Sequence, residues 1–247
     1  MTSLPTARAR DFRGSHTDGR SAEELRELVS HVGAELELAP AESIVEWAVA
    51  TFGERFCITS SMGDAVLAHV ASRVAPGIDL VFLDTGYHFP ETIGTADAVG
   101  ATMPVNLLPI TPVQTVAEQD ADYGTELFKR DPDLCCALRK VQPLAEALQG
   151  YDAWATGLRR AETHNRVIAP VVGWDARKGK VKVSPLARWT DDDVARYIDE
   201  HQVLVNPLVY DGYPSIGCAP CTRRVAPGEH PRSGRWAGTA KTECGIH

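Results

Sequence analysis

The chain has 247 residues, of which 44% are hydrophobic, which is enough for one substantial core or two small ones. Its formal net charge of −8 at pH 7 excludes a nucleic-acid protein held by a broad basic surface, although a local arginine cluster can still bind a small anion. No apolar run reaches membrane-spanning length and the N-terminal segment lacks the apolar stretch of a signal peptide, so we expect a cytoplasmic protein that does not bind membranes.

The predicted elements begin with two helices and continue as strands alternating with helices. Ser21 and Glu24 have the spacing of a capping box at the start of SAEELRELVSHVGAEL, and the helix in PAESIVEWAVATFG ends at Gly53. The predicted strands are RFCITSS, DLVFLDTG, PVNLLPI, DAWATGL and KVKVSPL, and further helices are MGDAVLAHVASRVAPG, HFPETIGTADAVGA and TDDDVARYIDEHQ, the last capped by Thr190. This alternation predicts an α/β fold, a parallel twisted sheet with helices on both faces.

The chain divides into three predicted segments. Residues 1–20 are a flexible N-terminus, and residues 21–221 form a single α/β nucleotide-binding domain. From residue 222 the sequence is rich in Pro, Gly, Arg and Lys with little periodicity, so we expect 222–247 to be a mobile C-terminal segment.

Two strand-to-helix turns predict a nucleotide pocket at one edge of the sheet. Ser60, Ser61 and Gly63 follow the first strand, where free backbone N–H groups at a helix start can bind a phosphate. The turn Leu83–Gly86 follows the next strand and reaches the same edge. An ordinary helix capped by serine is the alternative for the first turn taken alone.

Four cysteines predict a metal site. Cys135 and Cys136 are adjacent, a poor geometry for a structural disulfide, and Cys218 and Cys221 form a Cys-x-x-Cys pair. Four thiolates suit either tetrahedral zinc or an iron–sulfur cluster, and the adjacent pair favours a 4Fe–4S cluster over zinc. Cys57 lies in an apolar strand and is expected in the core.

Cations accompany these motifs, and one cysteine stands near the C-terminus. Arginines in GLRRAETHNR and PRSGRW can bind phosphate or sulfate bidentately: Arg159, Arg160, Arg166, Arg232 and Arg235. Lys140 is four residues after Cys136, so we expect it to share a helix face with the metal site. Cys244 lies between Lys241 and His247, an environment that favours a reactive thiolate.

The paired cysteines, the LDTG turn and the ending KTECGIH together resemble the assimilatory sulfonucleotide reductases over about residues 44–247. The four cysteines resemble the bacterial iron–sulfur branch that reduces adenosine 5′-phosphosulfate (APS), since most relatives that reduce its 3′-phosphorylated form (PAPS) lack them. The resemblance implies a fold like that of the adenine-nucleotide α-hydrolases, one 4Fe–4S cluster per chain and reduced thioredoxin as electron donor. It also implies an S-sulfo intermediate on Cys244, with AMP and sulfite as products.

The resemblance assigns roles to residues. It implies Cys135, Cys136, Cys218 and Cys221 as cluster ligands, Cys244 as nucleophile, Lys140, Arg232, Arg235 and His247 as cationic catalytic residues, and Leu83, Gly157 and Arg166 as substrate-binding residues beside Ser60, Ser61 and Gly63. The turn SSMGDAV departs from the Ser-Gly-Gly-x-Asp-Ser of relatives that cleave ATP, which argues against ATP hydrolysis.

Three other functions remain open at this stage. The nearest is a PAPS reductase, and a second is an ATP-using adenylyl-transfer or tRNA-thiolation enzyme on the same fold. The third is a zinc-stabilised binding module in which Cys244 has no role. The sequence also leaves open whether the chain forms a homo-oligomer.

Overall fold

The computed structural model describes residues 19–237, 239, 241 and 243–246. Most of the predicted N-terminal segment and the predicted catalytic residue His247 therefore lie outside the described residues. No helix in the described part of the chain is long and apolar enough to cross a membrane.

Two helices precede the sheet, as predicted. Helix α1 spans Ala22–Leu36 and begins with the predicted capping box, in which the Ser21 side chain accepts from the Glu24 backbone and the Glu24 carboxylate accepts from the Ser21 backbone. Helix α2 spans Ala41–Phe52 and ends before Gly53, whose φ of 53° is a left-handed value that glycine adopts easily.

Six strands form one mixed sheet. They are β1 Phe56–Ser60, β2 Ile78–Leu83, β3 Val105–Ile110, β4 Ala153–Thr156, β5 Val172–Asp175 and β6 Lys180–Val183. Their order is β3-β2-β1-β4-β6-β5, with every pair parallel except β5 and β6. The five predicted strands are confirmed, whereas the antiparallel edge strand β5 was not predicted.

Alternating side chains give the sheet two apolar faces. In β1, Phe56 and Ile58 point into the larger core, while Cys57 points into a smaller one on the opposite face. The pattern repeats in β4, where Trp154 joins Cys57 in the smaller core. Since both faces are covered, the predicted arrangement of helices on both sides is confirmed.

The remaining helices follow the strands that they cover. They are α3 Val66–Val74, α4 Pro90–Thr102, α5 Val116–Tyr123, α6 Leu127–Arg130, α7 Pro132–Cys136, α8 Gln142–Ala147 and α9 Asp191–His201. Helices α1 to α4 and α9 contribute side chains to the larger core, and α8 contributes Leu144 and Ala147 to the smaller one. A π-helical turn, Ala137–Val141, joins α7 to α8 without a break in the helical run.

Candidate active site

The carboxyl ends of β1, β2 and β4 meet at a cavity of about 250 Å³. Ligands of open α/β sheets bind outside this end of the strands. We refer to it as the nucleotide cavity. Ten predicted site residues line it: Ser60, Ser61, Gly63, Leu83, Lys140, Gly157, Arg166, Arg232, Arg235 and Cys244. Residues far apart in the sequence are thus brought together, while their individual roles stay predictions.

The turn after β1 is built differently from the serine-capped helix weighed above. Met62, rather than Gly63, has the left-handed backbone, with φ of 59°, and its backbone N–H donates to Ser60 Oγ at 3.1 Å. Neither serine caps α3, since Asp64 Oδ1 accepts from the Val66 N–H at 3.0 Å. A side chain at Gly63 would meet only open space, so a ligand can approach the backbone there.

Buried Asn206 holds this turn from behind. Its side-chain amide donates to the Met62 carbonyl at 3.0 Å, and its backbone N–H donates to the Gly63 carbonyl at 3.0 Å. Both carbonyls are therefore turned away from a bound anion, while burial raises the pKa of the neighbouring Asp64.

Three cations converge on one wall of the cavity. Arg232 and Arg235 both donate to Ser215 Oγ, at 3.4 and 3.3 Å, and Arg235 also donates to the Ile216 carbonyl at 3.0 Å. Burial lowers the pKa of Arg235, and the positive charge of Arg232 lowers it further. Lys140 is only 8% exposed, and no carboxylate among the described residues pairs with its ammonium group. An anionic ligand would relieve the repulsion between these buried charges.

Burial and the neighbouring cysteines act in opposite directions on the pKa of Lys140. Burial by itself lowers the pKa of Lys140, but the nearby Cys218 and Cys244 thiols, when ionised, raise it above its usual value. Cys244 therefore lies within electrostatic reach of a buried ammonium group and of Arg235.

The four predicted metal ligands line a second, smaller cavity, which we call the thiol cavity: Cys135, Cys136, Cys218 and Cys221. Thr85 Oγ1 lies 3.3 Å from Cys218 Sγ. Burial and the neighbouring thiols raise the pKa of Cys135 to about 12 and that of Cys221 to about 11, so the protein alone disfavours thiolates here. A bound cation would reverse this preference, because a coordinating thiol is deprotonated.

Four thiolates are a ligand set for tetrahedral zinc or for a 4Fe–4S cluster. Within the described residues no three His, Cys, Asp or Glu side chains converge closely enough to hold one ion, as tetrahedral zinc would require. A 4Fe–4S cluster offers a separate iron to each of four thiolates, so its ligands surround a larger volume. Four of the residues that line the thiol cavity are cysteines, the number of thiolates that such a cluster takes as ligands.

The two cavities share a wall. Lys140 lines both of them, and it lies in the π-helical turn between α7, which carries Cys135 and Cys136, and α8. Lys140 and Cys136 line the same cavity, and the turn that carries Lys140 is π-helical rather than α-helical; a shared face with a metal site stays a prediction. Such turns often occur at functional sites.

Some predicted anion-binding arginines have other partners. Arg159 lines the nucleotide cavity but pairs with Asp191, and Arg160, which does not line it, pairs with Glu37. Arg166 lines the nucleotide cavity, but Glu162 and Glu243 bind its guanidinium group. Sequence reasoning overlooked both glutamates, and the only available signal was the position of Glu243 beside Cys244.

Comparison with known proteins places this architecture in a family. Residues 55–224 match the phosphoadenosine phosphosulfate reductase domain. An adenosine 5′-phosphosulfate reductase of Streptomyces coelicolor is 65% identical over 92% of this chain and 97% of its own length, and one of Mycolicibacterium smegmatis is 57% identical over 91% and 95%. The chain belongs to the bacterial APS reductase family. It is therefore an enzyme of the sulfonucleotide reductase group, as the sequence motifs indicated.

Solved structures agree on the fold of this APS reductase family member. A phosphoadenylyl-sulfate reductase from Candida auris superposes with a TM-score of 0.69 at 29% identity, over 81% of this chain and 97% of its own. An FMN adenylyltransferase from Candida glabrata superposes with a TM-score of 0.53 at 11% identity, over 83% of this chain and 77% of its own. The second likeness concerns the fold alone.

Proposed function

We propose that this enzyme reduces APS to sulfite and AMP, with reduced thioredoxin as electron donor, through an S-sulfo intermediate on Cys244. The observation that carries the proposal is the meeting of Cys244 with Lys140, Arg232 and Arg235 at one nucleotide cavity. A thiol next to three cations, at the ligand-binding end of an α/β sheet, suits attack on an anionic nucleotide. The names of the two relatives from Streptomyces coelicolor and Mycolicibacterium smegmatis agree with APS as substrate.

The three cations would assist both the approach of the thiolate to APS and the departure of AMP. A thiolate that approaches the sulfate group of APS meets negative charge, which Lys140, Arg232 and Arg235 would offset. The same cations would stabilise the charge that develops on AMP as it leaves. The open backbone at Gly63 and the lining residues Leu83 and Gly157 would receive the nucleotide itself.

The chemistry proceeds in two displacements. The Cys244 thiolate attacks the sulfur atom of APS, an S–S bond forms, and the S–O bond to AMP breaks with its electron pair on the AMP phosphate. A thioredoxin thiolate then attacks Cys244 Sγ and releases sulfite, which leaves a mixed disulfide between the two proteins. The second thioredoxin thiol attacks that disulfide and frees Cys244, so the thioredoxin dithiol supplies both electrons.

The thiol cavity has a supporting part in this scheme. Cys135, Cys136, Cys218 and Cys221 would hold a 4Fe–4S cluster, which when bound supplies a fixed charge distribution beside Lys140. Lys140 then carries that influence to the nucleotide cavity, because its side chain lines both cavities. Thioredoxin would meet Cys244 in the reducing cytoplasm that the sequence predicts.

The proposed segmentation gives the C-terminal residues 222–247 a distinct role. In the structure Cys244 is partly exposed and lines the nucleotide cavity. We therefore propose that this segment closes over APS for the first displacement and opens for thioredoxin in the second.

A labelling experiment tests this function. Anaerobically purified enzyme is incubated with APS carrying radiolabelled sulfate without reductant, separated on a non-reducing gel, and then treated with reduced thioredoxin. Label that stays on the wild type, leaves as sulfite with thioredoxin and is absent from Cys244→Ser supports the scheme. No label on wild-type protein that retains its cluster would refute it.

A parallel incubation addresses the nearest alternative. Labelled PAPS competes with APS under the same conditions, and preferential labelling from PAPS would reassign the substrate. Turnover of ATP to AMP and pyrophosphate would instead support an adenylyl-transfer enzyme.

A further inference from the structure

The segment that follows helix α9 pairs with the turn that follows β1. The Ala65 N–H donates to the Leu204 carbonyl at 2.9 Å, and two residues further along the segment the Asn206 N–H donates to the Gly63 carbonyl at 3.0 Å. Gly63 lines the nucleotide cavity, whereas Asn206 does not. The turn therefore has the segment after α9 on one side and the cavity on the other.

Both polar atoms of the Asn206 side chain have partners. The residue is fully buried, and its amide nitrogen donates to the Met62 carbonyl at 3.0 Å and to Thr92 Oγ1 at 3.2 Å. Its amide oxygen accepts from the Leu208 N–H at 3.1 Å. These partners fix the orientation of the amide, because only its nitrogen can donate to a carbonyl. Asn206 thus connects the turn after β1 to helix α4.

Met62 has a backbone conformation that needs support from its surroundings. Its φ of 59° is left-handed, which is uncommon for a residue other than glycine, and its side chain is fully buried. Such conformations persist where neighbouring contacts determine them. Here the Met62 N–H donates to Ser60 Oγ and the Met62 carbonyl accepts from the Asn206 amide. Without that amide, the peptide unit between Met62 and Gly63 would lose its one side-chain contact at the carbonyl.

The two peptide units that Asn206 holds each direct an N–H group away from it. Both units are trans, so their C=O and N–H bonds point in opposite directions. Since Asn206 binds the Met62 and Gly63 carbonyls, the next N–H groups, those of Gly63 and Asp64, point to the other side of the turn. Neither has an acceptor among the described residues, and both residues line the nucleotide cavity. Successive N–H groups in such a turn form a concave site for an anion.

We propose that Asn206 is a positioning residue for phosphate recognition, which holds the Gly63 and Asp64 N–H groups toward the phosphate of the nucleotide. This role rests on the proposed function, in which that phosphate belongs to the AMP leaving group. Donors that are fixed before the reaction stabilise the charge that develops there. Asn206 touches no substrate and acts through the turn.

Three variants separate the bond to the turn from the other contacts of the amide. Asn206→Ser keeps a hydroxyl that can accept from the Leu208 N–H and loses the donor to the Met62 carbonyl. Asn206→Asp keeps the shape of the side chain and replaces the donor by a carboxylate oxygen. Thr92→Val is the matched control, because it removes the other acceptor of the amide without touching the turn. Cluster content and circular dichroism show whether each protein is intact, and Asn206→Ser carries the test if Asn206→Asp does not fold.

Two dissociation constants and one rate are measured on each anaerobically purified protein. Isothermal titration calorimetry gives the Kd for AMP and the Kd for adenosine, two ligands that differ only in the 5′-phosphate. The ratio of these constants reports recognition of the phosphate, whereas a general loosening of the cavity would change both constants alike. Single-turnover formation of the S-sulfo enzyme at saturating APS gives the effect on the chemical step.

Positioning by Asn206 predicts a selective loss. In Asn206→Ser and Asn206→Asp the Kd for AMP should rise about tenfold, the size of one hydrogen bond to a charged group, while the Kd for adenosine changes by less than about twofold. S-sulfo formation should slow by about tenfold or more, because the donors to the phosphate are misplaced. Thr92→Val should keep the wild-type ratio and rate within about twofold, even with a lower Tm.

Four outcomes would overturn this role. Equal weakening of AMP and adenosine would make Asn206 a support for the whole cavity, and unchanged affinity for both would show that the turn keeps its shape without the amide. Loss of AMP affinity in Asn206→Asp but not in Asn206→Ser would indicate charge rather than position. A wild type that binds AMP no more tightly than adenosine would exclude the phosphate contact itself.

Failure of the proposed function would give a different result. A wild type that prefers AMP to adenosine yet takes no label from APS would refute the reaction through Cys244. The ratio of the two Kd values in the Asn206 variants would still test the positioning role, because it requires no turnover.

Discussion

Replacement of Lys140 by methionine removes a charge and keeps most of the side-chain volume. Lys140 is 8% exposed and lines both cavities, and it lies in the π-helical turn after Cys136. The variant should still fold, because its methylene groups are already buried and methionine adapts to irregular space. We therefore expect Lys140→Met to lose stabilisation of the transition state rather than stability of the fold.

The size of this loss follows from the surroundings of the ammonium group. No carboxylate among the described residues offsets Lys140, so its charge is available to the substrate. Removal of one preorganised donor from an enclosed site typically costs about 3 kcal/mol, which corresponds to a rate about a hundredfold slower. Arg232 and Arg235 remain, so activity should fall without being abolished.

The assay is anaerobic sulfite release from APS with excess reduced thioredoxin, normalised to iron and sulfide content per chain. Lys129→Met, at an exposed lysine on helix α6, serves as the matched control. A Lys140→Met enzyme with an intact cluster and an unchanged rate would refute the role of Lys140 in charge stabilisation. Loss of the cluster in Lys140→Met would be followed by Lys140→Arg, which keeps the charge and should retain more activity than Lys140→Ala.

Three further changes test separate contacts. Lys178→Met should accelerate alkylation of Cys244 by a maleimide, because Lys178 Nζ donates to the Ile246 carbonyl two residues after Cys244. Arg177→Met, on the same hairpin, should leave that rate unchanged. Equal rates in wild type and both variants would contradict a role of Lys178 in holding Cys244. Asp152→Asn should lower stability by about 1 kcal/mol, seen as a lower Tm, because only one of the two oxygens that accept from Arg55 remains and the negative charge is lost. An unchanged Tm would argue against that pair. Burial lowers the pKa of His88, and its buried Nδ1 has no partner among the described residues, so the neutral ring is favoured in the folded state and stability should fall as pH drops below 6.5. His88→Gln should reduce the difference in Tm between pH 7.5 and 5.5, and an equal difference in both proteins would exclude His88 as its source.

Local patterns predicted most of the fold. The apolar runs that contain Ile58, Leu80 and Leu107 form neighbouring strands, and their carboxyl ends had to meet because parallel strands point the same way. The predicted capping box at Ser21 and the predicted N-cap Thr190 marked two helix starts correctly. Such features depend on residues a few positions apart, which periodicity can detect.

Strand β5 was missed because its local signal is weak. It has four residues, Val172–Asp175, and includes Gly173, a poor strand former. It pairs antiparallel with β6 across a loop that contains Gly179. Nothing in so short a segment separates an edge strand from a loop, and its place is decided by pairing with β6.

Long-range ionic contacts escaped the sequence for another reason. Arg166 and Glu243 are 77 positions apart, and charge patterns carry no information about partners at that distance. Arg166 was predicted to bind an anion from its residue type, and the structure places a carboxylate of the chain itself on its guanidinium group. Residue chemistry predicted the kind of ligand but not its source.

The π-helical turn Ala137–Val141 joins α7 to α8, so the number of residues in this turn sets how the two helices, and the cavities they line, are placed relative to each other. Each residue of an α-helix advances the rotation by about 100°, so deletion of one residue here would turn the cysteine pair of α7 away from the apolar face of α8. A substitution in this turn can preserve the common wall, whereas an insertion or deletion cannot. We therefore expect chain length to be the most strictly constrained property of this segment.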